Sequence, residues 1–241
     1  MGVIIGKNIT VNFPIYGVKS RSLKTSIISS VIGGTLINSP SDHVVVRALD
    51  AISFEFHEGD RIGLVGHNGS GKSTLLRVLA GIYEPTDGDL SVKGQVASLL
   101  DISLGMDLEA TGLENILIRG LIMGVPTRKM RNMVDEIADF SGIDDYLHLP
   151  LRTYSSGMAM RLAFAVSTSI NADIILMDEW LSVGDAEFLT KAKNRLDSLI
   201  KGARIVVLAS HNFDLIKSQC NRVLKLEHGR AFDVELSQIA L

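Results

Sequence analysis

Gly66-His67-Asn68-Gly69-Ser70-Gly71-Lys72-Ser73 carries the spacing G-x-x-x-x-G-K-[ST], between the apolar run Arg61 to Val65 and the helically spaced stretch Ser73 to Leu79. Glycines in such a loop let the backbone curl so that several N–H groups point inward, and a following helix adds the positive end of its dipole. The product is an anion cradle spanning Gly66 to Thr74. Within it Lys72 can reach the β- and γ-phosphates of a nucleoside triphosphate, and the Ser73 hydroxyl is suited to a Mg²⁺ ligand. A second pair of residues extends that chemistry. Asp178 closes the apolar run Ile174-Ile175-Leu176-Met177, where a carboxylate can hold Mg²⁺ opposite Ser73, and Glu179 follows it directly. Adjacent residues at an extended end point in different directions, so one carboxylate can serve the metal and the other a water attacking the γ-phosphate.

The elements that must position these groups follow from periodicity. Val3, Ile5, Ile9, Val11 and Phe13 alternate loosely, and Val44 to Phe56 repeats the pattern; both predict strands. Between them, Lys19 to Asn38 places Leu23, Ile27, Ile28, Val31, Ile32 and Leu36 at helical spacing after the basic Lys19, Arg21 and Lys24, which predicts an amphipathic helix ending at Gly33-Gly34. Gly105 to Gly142 predicts a mostly helical lobe broken at Pro126. Further on, Met158 to Thr168 and Phe188 to Ile200 predict helices, Asp173 to Met177 and Arg204 to Ala209 buried strands, and Val223 to Val234 a hairpin turning at His228-Gly229. Strands alternating with helices imply a largely parallel sheet covered on both faces, so the fold class is α/β.

Composition narrows the setting. A chain of 241 residues, 46% hydrophobic, is long enough for one large domain with a well-buried core, and its net charge of −3 gives no basic excess for non-specific nucleic-acid binding. The single cysteine, Cys220, cannot form an internal disulfide, which fits a reducing cytosol. The start, Met1 to Lys7, is neither a secretory signal nor a myristoylation site. No apolar stretch approaches the roughly 18 residues a membrane span needs, so a role at a membrane would require a spanning partner.

Two further segments stand in a telling order. Tyr154-Ser155-Ser156-Gly157-Met158 precedes an apolar helix, where a serine and small residues offer a hydroxyl and unpaired N–H groups to an anion, and Ala209-Ser210-His211-Asn212 ends the strand after Asp178. With the phosphate loop in front, this order resembles the ATP-binding subunits of ABC transporters over nearly the whole chain. Ser155 and Gly157 match the signature motif Leu-Ser-Gly-Gly-Gln, from which Ser156 and Met158 depart. His211 matches the switch histidine that contacts the γ-phosphate, and Ser182-Val183-Gly184-Asp185 takes the place of the D-loop, with Asp185 at the dimer interface.

The resemblance implies a P-loop NTPase core of the RecA-like kind, with a mostly parallel sheet, an antiparallel β subdomain and a small helical subdomain at about 105–165. It implies ATP and Mg²⁺ as ligands, Lys72, Glu179 and His211 as catalytic residues, and a homodimer that sandwiches two nucleotides. Phe13 and Tyr16 are both placed to stack on adenine. The glutamine expected before the helical subdomain has no obvious counterpart; Asp101, or less strongly Gln95, takes its place and could reach metal or water.

The subfamily is narrower. Asp178-Glu179-Trp180-Leu181-Ser182-Val183-Gly184-Asp185, with Arg21 to Lys24 and Thr111 to Asn115, is similar to subunits that export O-antigen, capsule or teichoic-acid polymers. That implies an integral-membrane permease as partner, a lipid-linked polysaccharide as cargo, no nucleic acid, and a peripheral position on the cytoplasmic face of the inner (plasma) membrane. With the chain ending at Leu241, a single ATPase domain over 1–241 with its insertion at about 19–38 and no carbohydrate-binding domain is expected. An importer, a lipid or drug exporter, or a soluble ABC ATPase are the competing functions.

Overall fold

Apolar alternation near the amino terminus is broken where the strand register shifts. In the computed structural model, which describes residues 2–19, 35–38, 43–178 and 186–238, strand β1 runs from Val3 to Lys19 and pairs antiparallel with β3, His43–His57. Asn8 and Ala51 both adopt positive φ where the register shifts, and this bulge inverts the parity of β1. Ile4 is therefore buried on one side of it and Ile9 and Val11 on the other, while Val3 and Ile5, expected to share the face of Ile9, are only half-buried. β1 also continues past Phe13. Its pairing with β5, Asp87–Lys93, ends at Thr10, so Pro14 lies where only β3 flanks it.

The helix expected over Lys19 to Asn38 falls mostly outside the described residues. Its ends are strands: Lys19 closes β1, and Thr35–Asn38 forms β2, paired antiparallel with Arg47 to Val44 of β3. The antiparallel sheet has the order β2-β3-β1-β5.

β4, Arg61–Val65, is flanked by two parallel neighbours, β8, Ile205–Ala209, and β9, Arg222–Glu227. Every residue of β8 is buried, as expected of a parallel strand covered on both faces. β10, Arg230–Val234, closes the hairpin with β9. With β6, Val96–Leu99, and β7, Ile174–Asp178, the six-stranded order is β10-β9-β4-β8-β7-β6. Helix α1, Lys72–Leu79, follows β4 and buries Leu75, Leu76, Val78 and Leu79.

By its contacts the chain divides into two compact units. One comprises Met1–Val96, Leu176–Glu179 and Arg204–Leu241; the other, Ala97–Ile175 and Trp180–Ala203, contains the helices α2 (Gly112–Ile122), α3 (Thr127–Arg131), α4 (Val134–Ser141), α5 (Ser156–Ser167) and α6 (Ala186–Gly202). α2 starts with a reciprocal cap, Thr111 Oγ1 accepting from the Glu114 N–H while the Glu114 carboxylate accepts from the Thr111 N–H. Hydrogen bonds from the Thr111 N–H and from the Thr111 hydroxyl hold the Glu114 carboxyl below its ordinary range. Pro126 caps α3, consistent with the expected break there. Ile116, Met130, Ile137, Ile143, Leu162 and Val166 belong to the shared core of α2 to α5, and buried Asn115 ties the preceding turn to it through bonds to Asp107, Ala110 and Thr111. Among the described residues no helix is long and apolar enough to cross a membrane.

Candidate nucleotide site

The phosphate loop is shaped by residues without room for a side chain. Gly66 leaves β4 at φ +150°, and a Cβ there would meet the Leu226 carbonyl oxygen at 2.3 Å and Ser70 Oγ at 2.6 Å. Lys72 turns back over the loop, its Nζ donating to the carbonyls of Gly66 at 2.8 Å and His67 at 3.1 Å. Ser70 N–H donates to His67 O, which closes the turn. Ser70 and Lys72 are buried, His67, Asn68 and Gly69 exposed, and Gly66, Ser73 and Thr74 half-buried. The loop thus combines an exposed stretch, His67 to Gly69, with an ammonium anchored on its carbonyls.

Helix α1 begins here without a capping side chain at Gly71, and its first hydrogen bond of the helical kind runs from Leu75 N–H to Gly71 O. The N–H groups ahead of Leu75 therefore have no partner within the helix, which is the condition for binding an anion at a helix N-terminus.

Ser73 Oγ donates to Asp178 Oδ2 at 2.6 Å. The strand ending at Asp178 and the helix opening at Lys72 thus bring two hard oxygen atoms to one point, a pair whose chemistry suits Mg²⁺. The glycine cradle beside them fits a polyphosphate in the same way. Parallel β4 and β8 align Leu64 with Ala209, so Gly66 and His211 leave the same edge of the sheet. His211 is exposed, and the turn around it is fixed by Ser210 Oγ accepting from Asn212 N–H and by Asn212 capping helix α7, Phe213–Gln219.

Ser155 caps α5, its Oγ accepting from Met158 N–H at 3.2 Å, which leaves the hydroxyl hydrogen for an outside acceptor. Gly157, the second residue of the helix, would carry a Cβ whose nearest neighbour is Ser155 Oγ at 3.9 Å, so this helix start is uncrowded. Asp101 is engaged locally, Oδ1 accepting from Ser103 N–H and Oγ, and its carbonyl accepts from the buried Arg119 guanidinium. Gln95 is exposed ahead of β6. Phe13 is half-buried on β1 and Tyr16 lies further along that strand. Glu179 and Asp185 lie outside the described residues.

Sequence reasoning missed the β9–β10 turn as part of this site. Gly229 N–H donates to Ser70 O at 3.1 Å, and the rings of His67 and His228 lie 4.9 Å apart. Glu227, beside them, is held below its ordinary carboxylate range chiefly by a hydrogen bond from Lys225, with smaller contributions from His228 and His67. Tyr83 was also missed. Its ring meets Phe13 edge-on at 5.4 Å, and nothing in its position after α1 signals that contact.

Residues 49–182 match the ABC transporter family. The chain is 46% identical over 233 residues to the O-antigen export system ATP-binding protein RfbE of Yersinia enterocolitica, covering 97% of this chain and 98% of that one. It is 40% identical to O-antigen export protein RfbB of Myxococcus xanthus and 43% identical to the teichoic acids export protein TagH of Bacillus anthracis, but spans 43% and 33% of those longer chains. Among solved structures, the dimeric ATP-binding cassette MJ0796 bound to ADP and Pi matches with a TM-score of 0.68 at 17% identity, covering 97% of this chain and 98% of that chain, which shows the fold. With the match to the family spanning more than half of the chain, and a relative aligned to it along nearly its whole length, the protein belongs to the ABC transporter family.

Proposed function

We propose that the chain powers export of a lipid-linked, O-antigen-like cell-surface polysaccharide through a separate integral-membrane permease, working as a homodimer on the cytoplasmic face of the inner (plasma) membrane. The observation that carries this reading is the alignment with the Yersinia O-antigen export protein, which covers 97% of one chain and 98% of the other.

In this mechanism the loop N–H groups and Lys72 bind the β- and γ-phosphates, and Phe13, or failing it Tyr16, stacks on adenine. Ser73 and Asp178 would hold Mg²⁺, and Asp101 would serve it directly or through water; when bound, the ion would supply positive charge to the phosphate oxygens. Ser155 and Gly157 of the second copy complete the site with a hydroxyl and a helix N-terminus, and Asp185 lies across the interface. Glu179 takes the proton of the water attacking phosphorus, and His211 contacts the γ-phosphate. Loss of the γ-phosphate removes the charge bridging the two copies, and the dimer reopens. The helical subdomain at about 105–165 transmits that motion to the permease.

The test uses cells whose own copy of this gene is deleted. Wild-type chain should restore the surface polymer, whereas Lys72→Ala should leave it absent outside while lipid-linked polymer accumulates inside. Normal surface polymer in the deleted strain, with a defect instead in uptake of a solute or in another lipid, would overturn the proposed cargo.

A further inference from the structure

We propose that Tyr83 is a positioning residue for the nucleotide base, holding the Phe13 ring in the orientation that presents its face to adenine. The inference rests on the reading that Phe13 is the stacking residue and adds a second aromatic to it. The ring centroids are 5.4 Å apart with planes at 71°, the edge-to-face arrangement that aromatic quadrupoles favour. Phe13 is only half-buried and lies on the part of β1 beyond Thr10 where β5 no longer pairs with it. A half-buried phenyl ring has more than one rotamer open to it, and a fixed ring beside it selects among them.

Tyr83 is itself fixed. The N–H groups of Ile82 and Tyr83 both donate to the Arg77 carbonyl, winding the chain tightly as it leaves α1, and the Arg77 guanidinium lies 5.8 Å from the centre of the Tyr83 ring. Three residues later the chain is stitched to β1: Thr86 N–H donates to Thr10 O at 2.7 Å, and Asn12 N–H donates to Thr86 Oγ1 at 3.0 Å. The segment carrying Tyr83 is therefore tied to α1 before it and, through Thr86, to Thr10 and Asn12 of β1 after it. The same α1 starts at Lys72 and Ser73, so one short helix carries the phosphate ligands at its beginning and, just past its end, the ring that steadies the base platform.

Edge-to-face pairs of this kind correspond to about 3- to 10-fold in a binding constant. The experiment measures dissociation constants of Mg²⁺-ATP and of Mg²⁺-tripolyphosphate, which lacks the base, for wild type, Phe13→Ala, Tyr83→Leu, Tyr83→Phe and the Phe13→Ala/Tyr83→Leu double variant. Tyr83→Leu should weaken ATP by about 3- to 10-fold with tripolyphosphate unaffected, Tyr83→Phe should restore it, and the double variant should bind ATP no more weakly than Phe13→Ala. In turnover the loss should fall on KM and not on kcat. Wild-type ATP affinity in Tyr83→Leu while Phe13→Ala is weakened overturns the role of Tyr83 alone. Equal losses for both ligands mean general loosening of the fold and overturn it too. Wild-type ATP affinity in Phe13→Ala removes the stacking reading, and this inference with it.

Discussion

Ser73 Oγ and Asp178 Oδ2 are 2.6 Å apart although 105 residues separate them in the chain. One is at the first turn of α1 and the other at the last position of β7, so their meeting brings two independent sequence signals together at the proposed Mg²⁺ site. Replacing Asp178 by Asn keeps the shape and a hydrogen-bond acceptor but removes the charge. Turnover should fall by about 10²-fold or more, since a metal-centred charge stabilises the reacting phosphate strongly. The check is a titration of ATPase activity against Mg²⁺; a wild-type half-maximal concentration would remove Asp178 from the metal site.

Glu179→Gln should separate binding from chemistry. An amide cannot take the proton of the attacking water, so turnover should drop by roughly 10²-fold or more while ATP is still bound. On a sizing column with ATP and Mg²⁺ this variant should elute as a dimer. Normal hydrolysis would assign the water to another carboxylate.

Gly66→Ala tests the shape of the cradle. The added methyl would enter a gap closed by the Leu226 carbonyl and Ser70 Oγ at a backbone angle that disfavours any side chain. A cost of about 1–3 kcal/mol is expected, read as a fall in thermal midpoint of roughly 2–4 °C per kcal/mol for a domain of this size. ATP affinity should fall with it. An unchanged midpoint would mean that the loop is looser than its contacts imply.

Cys220 should be inert in the folded protein. Burial pushes its thiol up to about 12, against a weaker opposing influence from Arg61. Because the folded value is raised, keeping this thiol neutral favours the native state below the ordinary thiol range of about 8.5, and the contribution is lost as pH climbs from there towards 12. At pH 8 a thiol reagent should label native protein far more slowly than urea-unfolded protein. Rapid labelling of the native form would place the sulfur nearer solvent.

The phosphate loop, the carboxylate closing β7 and the histidine after β8 were legible because each comes at the end of an apolar run, and such runs become buried strands of one sheet. β5 was not legible: Asp87, Asp89 and Lys93 leave only Leu90 and Val92 to mark it, as suits a strand with most residues exposed. Nor was the length of β1, since Pro14 and Gly17 resemble a stop, and nothing local says that β5 ends before them. The bulge at Asn8 turned a correct strand into the wrong face for Val3 and Ile5. The contacts of Tyr83 with Phe13 and of Gly229 with Ser70 join distant parts of the chain through ring geometry and a backbone N–H. Residue types do not encode either one.

β4, which launches the phosphate loop, is framed by β8 and β9, and Arg61 N–H finds its acceptor on Asn221 across 160 residues. During synthesis the loop therefore emerges long before the strands that flank it and the Gly229 turn that grips Ser70. Pairing at such sequence separation is slow and comes late. We expect the nascent chain to gain the ability to capture nucleotide only near the end of this stretch: ribosome-stalled chains halted at Ala203 should fail to cross-link a photoreactive ATP analogue that chains extended beyond Val234 retain. Capture by the shorter chains would show that the loop is shaped by its own glycines alone. Chains terminated before β9 and β10 would then not compete for ATP.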